Sequence, residues 1–268
     1  MTCETSFSSY RFSQVPHGAI RCMGLRIDQE AHWDKVCRAY VSNNEMDKAA
    51  RFRHGADAVR HIAGRALVRR MLEAAGHKKF TDEFFLNPYG KPYSPGSGVH
   101  FSISHSGSMV WAAFCREAPV GIDVENQLPL PDLADLTTQL HPREAQAIDH
   151  SSAEERTAAF YRCWTRKEAV LKALGKGLSL PLNTFQVRVD SSDANWLVLP
   201  PDEACRSAAG KNWRSPEHGC CQEEDSRKQG AAAATWTSQD VWCPGGYQCS
   251  VAALAPGLVV DLCVITAP

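Results

Sequence analysis

The sequence predicts an α+β protein in which mostly antiparallel strands carry packed helices. Three observations lead there. Residues 120–125 (VGIDVE) alternate apolar and polar side chains with the period of a strand. Val99–Ser104 and Met109–Cys115 read as two further strands, close enough in the chain to pair with each other. Ala56–Ala75 and Glu154–Leu174 are long stretches whose apolar residues recur with helical spacing.

The bulk properties bound the function without identifying it. A chain of 268 residues can bury a substantial core as one large domain or two small ones. With 29 Lys and Arg against 30 Asp and Glu, net charge gives no global argument for nucleic acid or membrane, so any electrostatic claim must be local. No apolar run approaches the roughly 20 residues that span a bilayer, and residues 1–20 lack the apolar centre of a secretory signal. That N-terminal stretch is Ser-rich and carries Arg11 but also Glu4, so a transit peptide is poorly supported. None of the 11 cysteines forms a C-x-x-C pair, and Cys37, Cys115, Cys163 and Cys263 lie in apolar stretches. They read as free thiols packed as small hydrophobes, in a reducing and hence cytoplasmic setting.

Taken in order, residues 1–21 are expected to be a flexible extension and Cys22–Asp28 a first strand. A helical region runs to about Val41, and Ser42-x-x-Glu45 has the pattern of a capping box that starts the next helix. Arg53–Gly55 should interrupt it before the Ala56–Ala75 helix, which Gly76 ends. Asn87–Pro92 (NPYGKP) is turn chemistry presenting Lys91. After the strands comes a Leu- and Pro-rich crossover at Leu128–Leu136, then a helix started by Pro142. Gly175 and Gly177 release the long helix towards short strands at Phe185–Val189 and Trp196–Leu199. Residues 202–235 lose all apolar periodicity and read as a mobile surface insertion, and a closing hairpin spans Val241–Leu254.

Two features resist a purely structural reading. In the long helix, Phe160, Cys163, Trp164, Val170, Leu171 and Leu174 form an apolar stripe, yet Lys167 falls inside it and Glu168 and Lys172 lie along its edge. Charges do not enter an apolar face without compensation, because desolvating one costs several kcal/mol. In the strand, Asp123 and Glu125 share one face with Gly121, which leaves that face open below them. Two adjacent carboxylates on a strand are compatible with a solvated edge. Together with Glu168 they are also three hard oxygen donors suited to Mg²⁺.

These residues carry a resemblance. GIDVE at 121–125 followed by W-x-x-K-E-A-x-x-K at Trp164–Lys172 is similar to the 4′-phosphopantetheinyl transferases, of the larger single-chain type that activates surfactin synthetase. GRALVRRML (64–72), NPYGKPY (87–93), HFSISHSG (100–107) and GKGLSLPL (175–182) follow in the family's order. The resemblance implies two similar α+β halves related by a pseudo-twofold axis, near 22–118 and 119–268, with coenzyme A in the cleft between them. It implies transfer of phosphopantetheine from coenzyme A to a serine of an apo acyl or peptidyl carrier protein, with release of 3′,5′-ADP. A monomer would suffice, with neither nucleic acid nor membrane as partner.

Site roles follow from the same resemblance. Asp123, Glu125 and Glu168 would hold Mg²⁺. Glu168, or less directly Glu144, would remove the serine proton, and Lys172 would neutralise or protonate the departing nucleotide. Lys48, Arg51, Arg60, Lys91, Ser104 and His105 would contact coenzyme A, with Lys167 supporting the same phosphates. One departure stands out: Glu45 occupies a position where the surfactin-activating enzyme has lysine. Two other readings remain: a Mg²⁺-dependent phosphohydrolase of coenzyme A or nucleotides, and a non-catalytic carrier-binding module.

Overall fold

The computed structural model describes residue 12 and residues 14–28, 30–77, 84–201 and 235–265. The chain divides into two compact units, one reaching Glu117 and taking up the segment from Val259, the other Ala118–Leu258.

The first unit is built on a four-stranded sheet. Its strands are β1 (Ala19–Arg26), β4 (His100–Ser106), β5 (Met109–Cys115) and β11 (Val259–Ile265), in the order β11-β1-β5-β4. The hairpin β4–β5 pairs His100 with Cys115 and Ser106 with Met109. α1 (Glu30–Cys37), α2 (Asn43–Ala49) and α3 (Gly55–Ala74) pack their apolar residues into one core with the sheet. α3 approaches β4 closely at Gly64, where an added Cβ would stand 2.8 Å from Ile103 Cγ2. The capping box at Ser42 and Glu45 forms, and the chain leaves α3 through Gly76 at φ 98°. A small hairpin of β2 (Phe85–Leu86) and β3 (Pro92–Tyr93) carries the Lys91 turn.

Two expectations change here. β1 begins at Ala19 and Val15 is buried, so the expected extension to residue 21 already contributes to the core. The remaining part of that stretch, 1–11 and 13, lies outside the described residues. The last strand, β11, runs parallel to β1, with Ala19 opposite Val259, and so belongs to the first unit although the sequence reading placed it in the second half. Its alternation is weak and most of its side chains are partly exposed, so no local pattern announced its partner.

The second unit has a three-stranded antiparallel sheet, β6 (Val120–Asn126), β10 (Tyr247–Ala253) and β9 (Thr237–Asp240), in the order β6-β10-β9. α6 (Arg156–Leu174) lies on β6 and β10. Its Phe160, Cys163, Val170 and Leu171 fill a core with Phe185, Trp196 and Trp236. α4 (Leu133–Thr137) and α5 (Pro142–Asp149) precede it; β7 (Gln186–Val187) and β8 (Leu197–Leu199) follow as a short antiparallel pair. α6 stops where Gly175 turns left-handed at φ 70° and gives its N–H to Leu171 O at 2.9 Å. The segment read as an insertion, 202–235, lies outside the described residues up to 234. The described cysteines are free thiols, and no described helix is long and apolar enough to cross a membrane.

Candidate active site

The site in the second unit is made by one close approach. Gly121 faces α6 so tightly that an added Cβ would stand 2.0 Å from Ala169 O and 2.3 Å from Ala173 N. The face of β6 that the sequence left open is therefore filled by helix backbone. Any larger residue at 121 would push the helix away. Because residues two apart on a strand share a face, this contact sets Asp123 and Glu125 beside the next turn of α6.

There the charges meet. The Lys172 ammonium donates to Asp123 Oδ1 at 2.6 Å, and Asp123 is 3 % exposed. Glu168, one helical turn before Lys172, is held above the ordinary carboxylate range. Burial is the main cause; the Asp123 and Glu125 carboxylates add to it, and Lys172 opposes it. Like charges close together raise one another's pKa in this way. Asp123, Glu125 and Glu168 are thus electrostatic neighbours. Among the described residues, however, no three His, Cys, Asp or Glu side chains stand gathered so as to hold a metal ion. As positioned, Lys172 supplies the positive charge. The donor set fits Mg²⁺ in kind, being three hard carboxylates beside a partly exposed lysine, Lys172, able to withdraw.

Two assigned residues stand elsewhere. Lys167 and Glu144, expected at the phosphates and as an alternative base, have no side-chain exposure and pair with each other at 2.8 Å. The Lys167 ammonium also donates to Phe185 O at 2.8 Å and stands 4.0 Å above the Phe185 ring. Glu144 accepts from the Val187 N–H at 2.7 Å and from the His141 N–H at 3.0 Å. Its carboxylate thereby closes the start of α5 and ties α5 to α6 and the 185–187 segment. Burial pushes its pKa up, against the pull of Lys167. The partner that the stripe position of Lys167 requires is Glu144. Arg166, not singled out from sequence, is equally buried. Its guanidinium forks onto Asp240 at 3.0 and 2.6 Å and donates to the carbonyls of Arg188, Asp190 and Ser192.

In the first unit the structure sorts the basic stretch into two sets. Arg60 is bound to Asp57 at 2.5 Å and to Gly107 O at 2.7 Å, so it anchors the turn after β4 that carries His105. Arg69, 4 % exposed, meets Glu45 at 2.9 Å, Arg65 approaches the same carboxylate at 3.9 Å, and Arg70 pairs with Glu73. Glu45 is therefore turned inward as both cap and counter-ion. Lys48 and Arg51 form no ion pair among the described residues; with Asn44, Asp47 and Phe52 they line a cavity of about 550 Å³. His105 is exposed, whereas Ser104 is buried at 6 % in β4. Lys91 lies near enough to His100 to lower its pKa, an effect secondary to burial. His61, absent from the sequence reading, sits among these cations. Burial first, then Arg65, Lys48 and His105, push its pKa down to about 4.

Comparison with known proteins points to one family. Residues 119–237 match the profile of the 4′-phosphopantetheinyl transferase superfamily. A 4′-phosphopantetheinyl transferase of Bacillus subtilis is 36 % identical over 165 residues, covering 60 % of this chain and 72 % of the relative. One from Bacillus pumilus is 34 % identical over 169 residues, 62 % of this chain and 72 % of its own. One from Nostoc sp. is 30 % identical over 208 residues, 71 % of this chain and 87 % of its own.

Proposed function

Since the chain belongs to the 4′-phosphopantetheinyl transferase superfamily, we propose that it transfers 4′-phosphopantetheine from coenzyme A to a serine of an apo carrier protein, with Mg²⁺. The observation that carries the reading is the placement of Glu168 and Lys172 of α6 over Asp123 and Glu125 of β6.

Asp123, Glu125 and Glu168 would hold Mg²⁺, which when bound neutralises pyrophosphate oxygens and polarises the phosphorus. The serine oxygen bonds to the β-phosphorus of coenzyme A while the bond from that phosphorus to the bridging oxygen breaks, releasing 3′,5′-ADP. Glu168 takes the serine proton, directly or through a water it orients. Burial and its two acidic neighbours raise its pKa, which suits it to that exchange. Lys172, 28 % exposed at its side chain, can swing from Asp123 to the departing phosphate. Lys48, Arg51, Lys91 and His105 supply positive charge and hydrogen bonds for the nucleotide phosphates. Arg60 acts through the turn it anchors, and Ser104 through its backbone in β4. Positioning and charge neutralisation do the catalysis, as in phosphoryl transfer generally. Lys167 and Glu144 support the helix rather than the chemistry. The reading needs no second copy of the chain, no nucleic acid and no membrane, and fits a cytoplasmic setting.

Intact mass of several apo carrier proteins, measured after incubation with coenzyme A, Mg²⁺ and this protein, tests the reading. A gain of one phosphopantetheine on a serine supports it and identifies the carrier. Release of 3′,5′-ADP without a carrier, and no gain on any of them, would favour a phosphohydrolase instead.

A further inference from the structure

The sheet of the second unit places one polar row beneath α6. Asp123 on β6 lies opposite Ser250 on β10, and Ser250 lies opposite Asp240 on β9. Residues directly opposite share a sheet face, so the row continues the face that carries the carboxylates. α6 is bonded to Ser250 and to Asp240. A carboxylate only accepts, so the Ser250 hydroxyl donates to Asp240 Oδ1 at 2.9 Å and accepts from the Thr165 hydroxyl, also at 2.9 Å. Arg166 completes the network by its fork onto Asp240. Thr165, Arg166 and Ser250 are fully buried.

Such a network adds little stability. Replacing both partners of a buried hydrogen bond by apolar groups of the same shape is nearly neutral, and a buried ion pair is often no better than hydrophobic residues of similar volume. What these groups provide is direction, because a hydrogen bond weakens steeply outside a narrow range of distance and angle. Their place in the unit gives that direction a use. Thr165, Glu168, Ala169 and Lys172 lie along one side of α6 at helical spacing. Thr165 is tied to the residue facing Asp123, and Ala169 abuts Gly121. Glu168 therefore stands between two fixed points. Sliding the helix by one residue moves it about 1.5 Å, enough to break the Thr165 bond. Mg²⁺ demands its oxygen ligands in near-ideal geometry, so a carboxylate displaced that far is lost to it.

We propose that Thr165 and Ser250, with Asp240 and Arg166 behind them, are positioning residues for the metal site. They fix the translation of α6 along the sheet, so that the Glu168 carboxylate joins those of Asp123 and Glu125. The inference deepens the transferase reading and rests on its assignment of Mg²⁺.

The test uses the full-length protein. It compares Thr165→Val, which keeps the shape and loses the hydroxyl, with Thr165→Ser, which keeps the hydroxyl, and with Ser250→Ala and the Thr165→Val/Ser250→Ala double variant. Three quantities are read: the Mg²⁺ Kd by calorimetry with coenzyme A present and no carrier, kcat at saturating coenzyme A and carrier, and Tm in chelator. Thr165→Val and Ser250→Ala should each raise the Mg²⁺ Kd and lower kcat about tenfold, the lower end of the range for groups that support metal ligands. Thr165→Ser should stay within about threefold of the wild type in both. The double variant should be no weaker than the weaker single one, since the two residues act through one bond. A Thr165→Val protein with the Mg²⁺ Kd and kcat of the wild type would overturn the proposal, whether or not its Tm falls. So would a Thr165→Ser variant as impaired as Thr165→Val, or additive losses in the double variant. A wild type that binds Mg²⁺ but modifies no carrier would overturn the transferase reading alone, with the Kd values still deciding the inference. A wild type that binds no Mg²⁺ would overturn both.

Discussion

Lys167 and Glu144 meet 2.8 Å apart with neither side chain exposed. The pair lies one residue before Glu168, so it fixes the rotation of α6 that delivers Glu168 and Lys172 to β6. Removing one partner strands the other charge in the interior, a loss of about 3–5 kcal/mol. Glu144→Gln and Lys167→Met should each destabilise the protein by that order in urea titrations. The Glu144→Leu/Lys167→Met double variant should recover much of the loss. A Glu144→Gln protein of undiminished stability but without activity would instead restore Glu144 as a base.

Gly121→Ala places a methyl group where the α6 backbone already stands. The expected outcome is a loss of at least about 2 kcal/mol, the upper part of the range for overpacking, together with a large fall in transfer rate. Equilibrium unfolding and carrier-modification assays read the two effects. Ala252→Gly, at the position opposite Gly121 on β10, is the control for general weakening of the sheet.

Glu168 makes stability depend on pH with a definite sign. Its folded pKa lies above its unfolded value of about 4.3. Between those two values the native state binds more protons than the unfolded one, so stability falls as pH rises through that window. Glu168→Gln removes the liability. In chelator it should be more stable than the wild type above the window and lose that advantage in acid below it, while transfer is abolished. Chemical denaturation at a series of pH values measures the difference.

The Glu45 carboxylate serves both Arg69 and the Ser42 cap. Glu45→Gln retains the cap but leaves the buried guanidinium without its counter-charge. A destabilisation of about 2–3 kcal/mol is expected, with KM for coenzyme A within about twofold of the wild type. A marked fall in KM would show that Glu45 opposes the phosphates.

Metal dependence has a readout apart from turnover. A ligand that binds only the native state adds about 2.7 kcal/mol at a hundredfold excess over its Kd. Mg²⁺ should therefore raise the Tm of the wild type, and should not raise that of Asp123→Asn. Excess chelator should stop transfer. A wild-type Tm indifferent to Mg²⁺ would remove the three carboxylates as its ligands.

Several features of this protein are local properties of its sequence. The alternation of residues 120–125, the spacing within α6, the cap at Ser42 and the exits at Gly76 and Gly175 depend on neighbours within a few positions, which a reader of the sequence also sees. The ordered motifs carried the family for the same reason. Tertiary structure alone decided which charges serve chemistry and which serve packing. Lys167, Glu168 and Lys172 are within two turns of each other, yet one is sealed against Glu144 and the others reach β6. Similarly, Arg60 and Arg69 are held by carboxylates while Lys48 and Arg51 face a cavity. The partners involved, Asp123 for Lys172 and Asp240 for Arg166, lie 49 and 74 residues away. A charge's role depends on its burial and its counter-charge, and both are set when distant segments meet. The parallel pairing of β11 with β1 has the same origin, since backbone hydrogen bonds between strands carry no sequence label.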